Sequence, residues 1–95
     1  MIYLVSYDLS SAENPDYDGV RSALEGCGSV NAFQKSVCLV DSSLTPGAIR
    51  EAVKPSLNAN DTLFVAAIDT VRWCGWRTRL AAWISDHRGS GLEEV

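Results

Sequence analysis

Ile2-Tyr3-Leu4-Val5-Ser6-Tyr7-Asp8 opens the chain with β-branched and aromatic residues in a run too short for an ordinary helix. It reads as a strand. Both of its faces are apolar near the start, as in a central strand covered on two sides. Tyr3, Val5 and Tyr7 share one face, and Ile2, Leu4, Ser6 and Asp8 share the other. A chain of 95 residues has room for one domain. Such a domain buries only roughly 60–65% of the surface its unfolded form exposes, so its core is thin and a dimer interface would support it. With 46% hydrophobic and 21% charged residues, the chain belongs with folded globular proteins rather than disordered ones.

Beyond the strand, residues 9–15 carry the Ser, Asn and Pro of a loop. Pro15-Asp16 then starts a helix, with Asp16 and Asp18 suited to its positive end. Tyr17, Val20, Leu24 and Cys27 form one apolar stripe, and Gly26 and Gly28 stop the helix, one of them near a C′ position. Residues 30–34 and 36–41 read as two strands, the second clearer because Val37 to Val40 is continuously apolar. Thr45-Pro46 combines an N-cap with a proline at the first helical position, Ile49 and Val53 face inward, and Pro55 ends that helix. Residues 62–69 form the last clear strand. The order β-α-β-β-α-β is that of a ferredoxin-like α/β (α+β) domain: four antiparallel strands with two helices on one face. This core is expected over residues 1–69.

Residues 70–95 form an extension that holds Trp73, Trp76 and Trp83. Trp76, Leu80, Trp83 and Ile84 recur at helical spacing, which predicts a helix over 76–85 with that face buried, followed by a flexible tail from Gly89. Arg79 and Trp83, four apart, are placed for a cation–π pair. His87 is expected to be exposed near a frayed helix end. The formal net charge is −4, yet Arg72, Arg77, Arg79 and Arg88 supply half of the 8 basic residues. An acidic chain is a poor duplex-DNA binder as a whole. Cys27, Cys38 and Cys74 are odd in number and widely spaced, which reads as reduced core or interface thiols in a cytoplasmic protein. No charged leader and no long apolar run is present, so neither a signal peptide nor a membrane partner is expected.

Three segments carry a resemblance. Tyr3-Leu4-Val5-Ser6-Tyr7-Asp8-Leu9 resembles the first strand of the small CRISPR-associated adaptation subunit, the second Cas protein family, which partners the spacer integrase. Gln34-Lys35-Ser36-Val37 is similar to that family's middle strand, and Asn60-Asp61-Thr62-Leu63-Phe64-Val65 to its closing one. The likeness is stronger to orphan SinR-like relatives and more distant to VapD-type toxins. It implies a ferredoxin-like homodimer with facing sheets and an integrase-like protein partner. It also implies a family aspartate at the end of the first strand, which falls on Asp8. In catalytic members two such aspartates hold Mg²⁺ or Mn²⁺ for cleavage of RNA or DNA. In spacer integration the same dimer is a scaffold without catalysis. The Trp- and Arg-rich extension departs from the family pattern.

The candidate chemistry follows. Asp8 is the candidate catalytic and metal-binding residue. One carboxylate holds Mg²⁺ only with further oxygen ligands, and a twofold axis would supply a second carboxylate. The structural alternative is that Asp8 caps the loop that follows it. Ser6 shares its face and is placed for a phosphate or a metal-bound water, and Lys35 is placed to meet phosphate unless it is a solvated strand-end charge. Arg72, Trp73, Trp76, Arg77 and Arg79 have the ingredients of single-strand binding, aromatic rings for stacking and arginines for phosphates. The alternative is that the tryptophans pack on the domain's own sheet or at a protein interface. A lone histidine, His87, leaves a Ser-His-Asp triad or a zinc site without support. Two functions remain open: a non-catalytic homodimeric adaptor for nucleic acid or protein, and a metal-dependent nuclease using Asp8.

Overall fold

In the computed structural model, which describes residues 1–10, 15–68, 72–87 and 93–94, the opening strand is β1, Ile2–Asp8. It is followed by α1 (Tyr17–Cys27), β2 (Gly28–Gln34), β3 (Val37–Ser42), α2 (Pro46–Val53) and a 3₁₀ turn (Lys54–Ser56). Then come β4 (Thr62–Ile68), β5 (Arg72–Trp73), α3 (Ala81–Asp86) and β6 (Glu93–Glu94). The main sheet has the order β2-β3-β1-β4, and all its neighbours are antiparallel. Helix α1 carries the chain from β1 past β3 to β2, and α2 carries it from β3 past β1 to β4. The result is a mixed α+β domain with β1 in the sheet interior. Strands β5 and β6 pair in parallel as a separate two-stranded unit. Among the described residues no helix is long and apolar enough to cross a membrane.

The parity of β1 explains the layers. Tyr3, Val5 and Tyr7 face the helices and are buried with Val20 and Leu24 of α1 and Ile49 and Val53 of α2. Ile2 faces the other way and joins Leu39, Leu80 and Ile84 in a second cluster. The extension therefore covers part of the sheet face opposite α1 and α2. Both helix starts follow their caps: the Asp16 carboxylate accepts from the Gly19 amide at 2.9 Å, and the Thr45 hydroxyl from the Ala48 amide at 3.1 Å. Buried Ser42 ties the layers together. Its hydroxyl donates to the Cys27 carbonyl at 2.8 Å and accepts from the Leu44 amide at 3.0 Å.

Several boundaries differ from expectation. Helix α1 ends without a left-handed cap; Gly28, at φ 168°, is extended and begins β2 at once. It has to be glycine because a Cβ there would lie 2.0 Å from the Asp41 carbonyl oxygen. Strand β2 thus starts two residues before the expected Val30. Ser36 lies in the turn rather than in β3. The helix expected over 76–85 begins only at Ala81, because Arg77 (φ 57°) and Arg79 (φ 59°) take left-handed conformations that no right-handed helix continues through. Trp76 is consequently not on a buried face but 81% exposed. The expected flexible tail lies largely outside the described residues, apart from the β6 pairing.

Candidate binding surface on the C-terminal segment

Asp8 is exposed at the end of β1, with Thr62 as its β4 partner, and half-buried Ser6 stands two residues back on the same face. Beside Ser6, Phe64 of β4 is 61% exposed, so this end of the second sheet face is open. Asp8 lies about 20 Å along β1 from Ile2, around which Leu80 and Ile84 pack. The loop that Asp8 is expected to cap runs through residues 11–14, outside the described residues; its Ser10 end is tied to the turn before β4 by Asp61. Its carboxylate accepts from the Asn58 amide at 2.7 Å and from the Ser10 amide at 2.8 Å. These bonds, the Asn58 amide first, hold the Asp61 carboxyl below its ordinary value. Among the described residues no cluster of three His, Cys, Asp or Glu side chains is placed to hold a metal ion.

Lys35 sits at the β2–β3 turn, and its ammonium lies 5.0 Å from the centre of the Tyr17 ring. It lines a groove with Tyr7, Tyr17, Asp18, Arg21 and Gln34. Tyr7 faces the helix side, so Lys35 and Asp8 serve different surfaces. Burial, followed by the neighbouring Cys38 thiol, raises the Tyr7 pKa, so the phenol stays protonated at neutral pH. The groove joins Tyr7 of β1 and the start of α1 to the end of β2 and the β2–β3 turn, which lie further along the sequence. Nothing in the local pattern of either segment announces it.

The C-terminal segment brings the expected arginines and tryptophans together but sorts them. Trp73, in β5, is half-buried against the second sheet face, and Arg72 beside it is exposed. Trp76 is presented to solvent with the Arg77 guanidinium 5.9 Å from its ring centre, and Arg79 is also exposed. The expected Arg79–Trp83 pair does not form. Trp83 stacks on His87 instead, with ring centres 4.1 Å apart, and the Trp83 carbonyl lies 2.6 Å from His87 Nδ1. His87 is thereby half-buried rather than free at the helix end. The Nε1 atoms of Trp73 and Trp83 are buried without a hydrogen-bond partner. Cys38 is buried, Cys27 half-buried, and Cys74 exposed rather than in a core. No protein-family model and no curated protein sequence matches the chain.

Proposed function

We propose that this protein is a non-catalytic homodimeric adaptor that binds single-stranded nucleic acid through its C-terminal segment. The observation that carries the reading is Trp76, 81% exposed with Arg77 beside its ring. A large indole left in water loses the stabilisation of burial, and a stacked base restores it. Arg72, Arg77 and Arg79 are exposed on the same segment and supply phosphate contacts. They offset the acidity of the rest of the chain locally. The strand order and the likeness of the three quoted segments favour a ferredoxin-like member of the CRISPR-adaptation-subunit and SinR-like group. The open sheet end around Phe64, Ser6 and Asp8 is the face on which a second copy would sit. The nuclease reading needs that copy to bring a second Asp8 to one Mg²⁺ or Mn²⁺ ion, since the strand partner of Asp8 is a threonine.

Fluorescence anisotropy with a short labelled oligouridylate tests the proposal. Trp76→Ala weakens binding at least about fivefold, the loss of one stacked base. The affinity falls with salt at a log–log slope of about −2, as three phosphate contacts to a single strand require. Asp8→Ala leaves binding unchanged. Equal affinity of wild type and Trp76→Ala would overturn the assignment. Metal-dependent cleavage lost in Asp8→Ala would establish the nuclease instead.

A further inference from the structure

We infer that a single strand held at Trp76 continues around the edge of the main sheet and places one phosphodiester between Lys35 and Arg21. The inference rests on the nucleic-acid reading of Trp76 and extends its contact surface to a second groove. That groove measures about 410 Å³. Tyr7 lines it from β1, Tyr17, Asp18 and Arg21 from α1, and Gln34 and Lys35 from the end of β2 and the turn after it.

Two observations carry it. The first is charge. Arg21 and Lys35 are exposed, reach the groove from different elements, and form no ion pair among the described residues. The Lys35 ammonium stands 5.0 Å from the centre of the Tyr17 ring. Burial raises the pKa of the Tyr7 phenol and the Cys38 thiol, and the Arg21 guanidinium acts against that at both, so its charge lies on the Tyr7 side of the groove. Asp18 also lines the groove, which leaves an excess of one positive charge there, the complement of one phosphodiester. The second observation is position. Phe33 and Gln34, the last residues of β2, line this groove and also the one lined by Trp76. Strand β2 is an outer strand of the main sheet, so the two grooves meet at its end. Exposed Gln34 lies where they meet, and a strand leaving Trp76 that crosses it comes next to Lys35. Aromatic rings followed by cations along one groove system are what a single strand tracks.

The test is fluorescence anisotropy of the full chain with labelled oligouridylates of about 4 and about 12 nucleotides, within the site sizes of single-strand binders. The short strand occupies the Trp76 surface alone and keeps the log–log salt slope of about −2. The long strand reaches Lys35 and Arg21 and steepens the slope to about −2.8, the increment of one further phosphate contact. Lys35→Gln combined with Arg21→Gln returns the long strand to about −2 and weakens it about fivefold at about 0.1 M salt, and leaves the short strand unchanged. Lys54→Gln combined with Arg50→Gln removes the same charge from exposed residues that line neither groove, and changes neither slope. The inference is overturned if the Lys35 and Arg21 pair of substitutions leaves the long strand unaffected, or if the Lys54 and Arg50 pair weakens it as much. Either result, with Trp76→Ala still weakening both strands, leaves the reading of Trp76 standing. Trp76→Ala without effect on either strand overturns that reading and this inference with it.

Discussion

Truncating Ile84 to alanine tests whether the extension is part of the folded domain. Helix α3 spans only Ala81–Asp86, well below the roughly 12–15 residues that an isolated helix needs in water. It is held by packing. Leu80 is 6% and Ile84 5% exposed, and both meet Ile2 and Leu39 on the sheet. Removing a buried isoleucine side chain to alanine costs about 2–5 kcal/mol. The loss is limited by what docking of α3 contributes, because a segment that has lifted off loses nothing more. We expect about 2–4 kcal/mol in urea denaturation, a large share of the roughly 5–15 kcal/mol available to a small domain. Native-state hydrogen exchange adds the local readout. The Ile84 amide, bonded to the Leu80 carbonyl at 2.9 Å, loses protection before the β1 and β3 amides do. A change below about 0.5 kcal/mol with the Ile84 amide still protected would refute the packing described.

Gly28→Ala places a Cβ 2.0 Å from the Asp41 carbonyl oxygen, so β2 and β3 must separate; thermal denaturation should show a loss of about 1–3 kcal/mol. Burial pushes the Cys38 thiol from 9.0 up to about 11, so the folded state holds its proton where the unfolded state has released it. The stability tied to this thiol is complete below pH 9.0 and is lost as the pH rises toward about 11, a slope that Cys38→Ala should remove from melting curves. In native protein a thiol reagent should modify exposed Cys74 ahead of buried Cys38, as peptide mass spectrometry would read. On the proposed dimer, light scattering should show wild type as a dimer and Phe64→Ser, at a residue 61% exposed in the single chain, as a monomer; a monomeric wild type would remove the dimer, and an unchanged dimer in the variant would place the interface elsewhere.

The elements most legible in the sequence are those set by local chemistry. Strand β1 has the expected bounds because its composition and parity match its two-sided burial. Helices α1 and α2 start at Asp16 and Thr45 because those side chains meet the backbone amides three residues on. The start of β2 was not legible. Gly28 looks like a helix stop, and only its approach to Asp41, distant in sequence, makes it a strand residue. In the extension the spacing of Trp76, Leu80, Trp83 and Ile84 is helical, but the backbone at Arg77 and Arg79 is not. Leu80 and Ile84 face inward as their spacing predicts, whereas Trp76 faces solvent. For the candidate site, the residue types were visible and their sorting was not. Which tryptophan is covered depends on how the segment crosses the sheet, a tertiary fact without a local signature.

In the proposed function, exposed Trp76, flanked by Arg77 and Arg79, holds single-stranded nucleic acid. Photocrosslinking with a thiouridine-substituted oligonucleotide, followed by peptide mass spectrometry, tests it most directly. Crosslinks are expected on the segment from Arg72 to Arg79, centred on Trp76 and lost in Trp76→Ala. Crosslinks confined to the groove of Lys35, Tyr17 and Arg21, or none at saturating oligonucleotide, would contradict it.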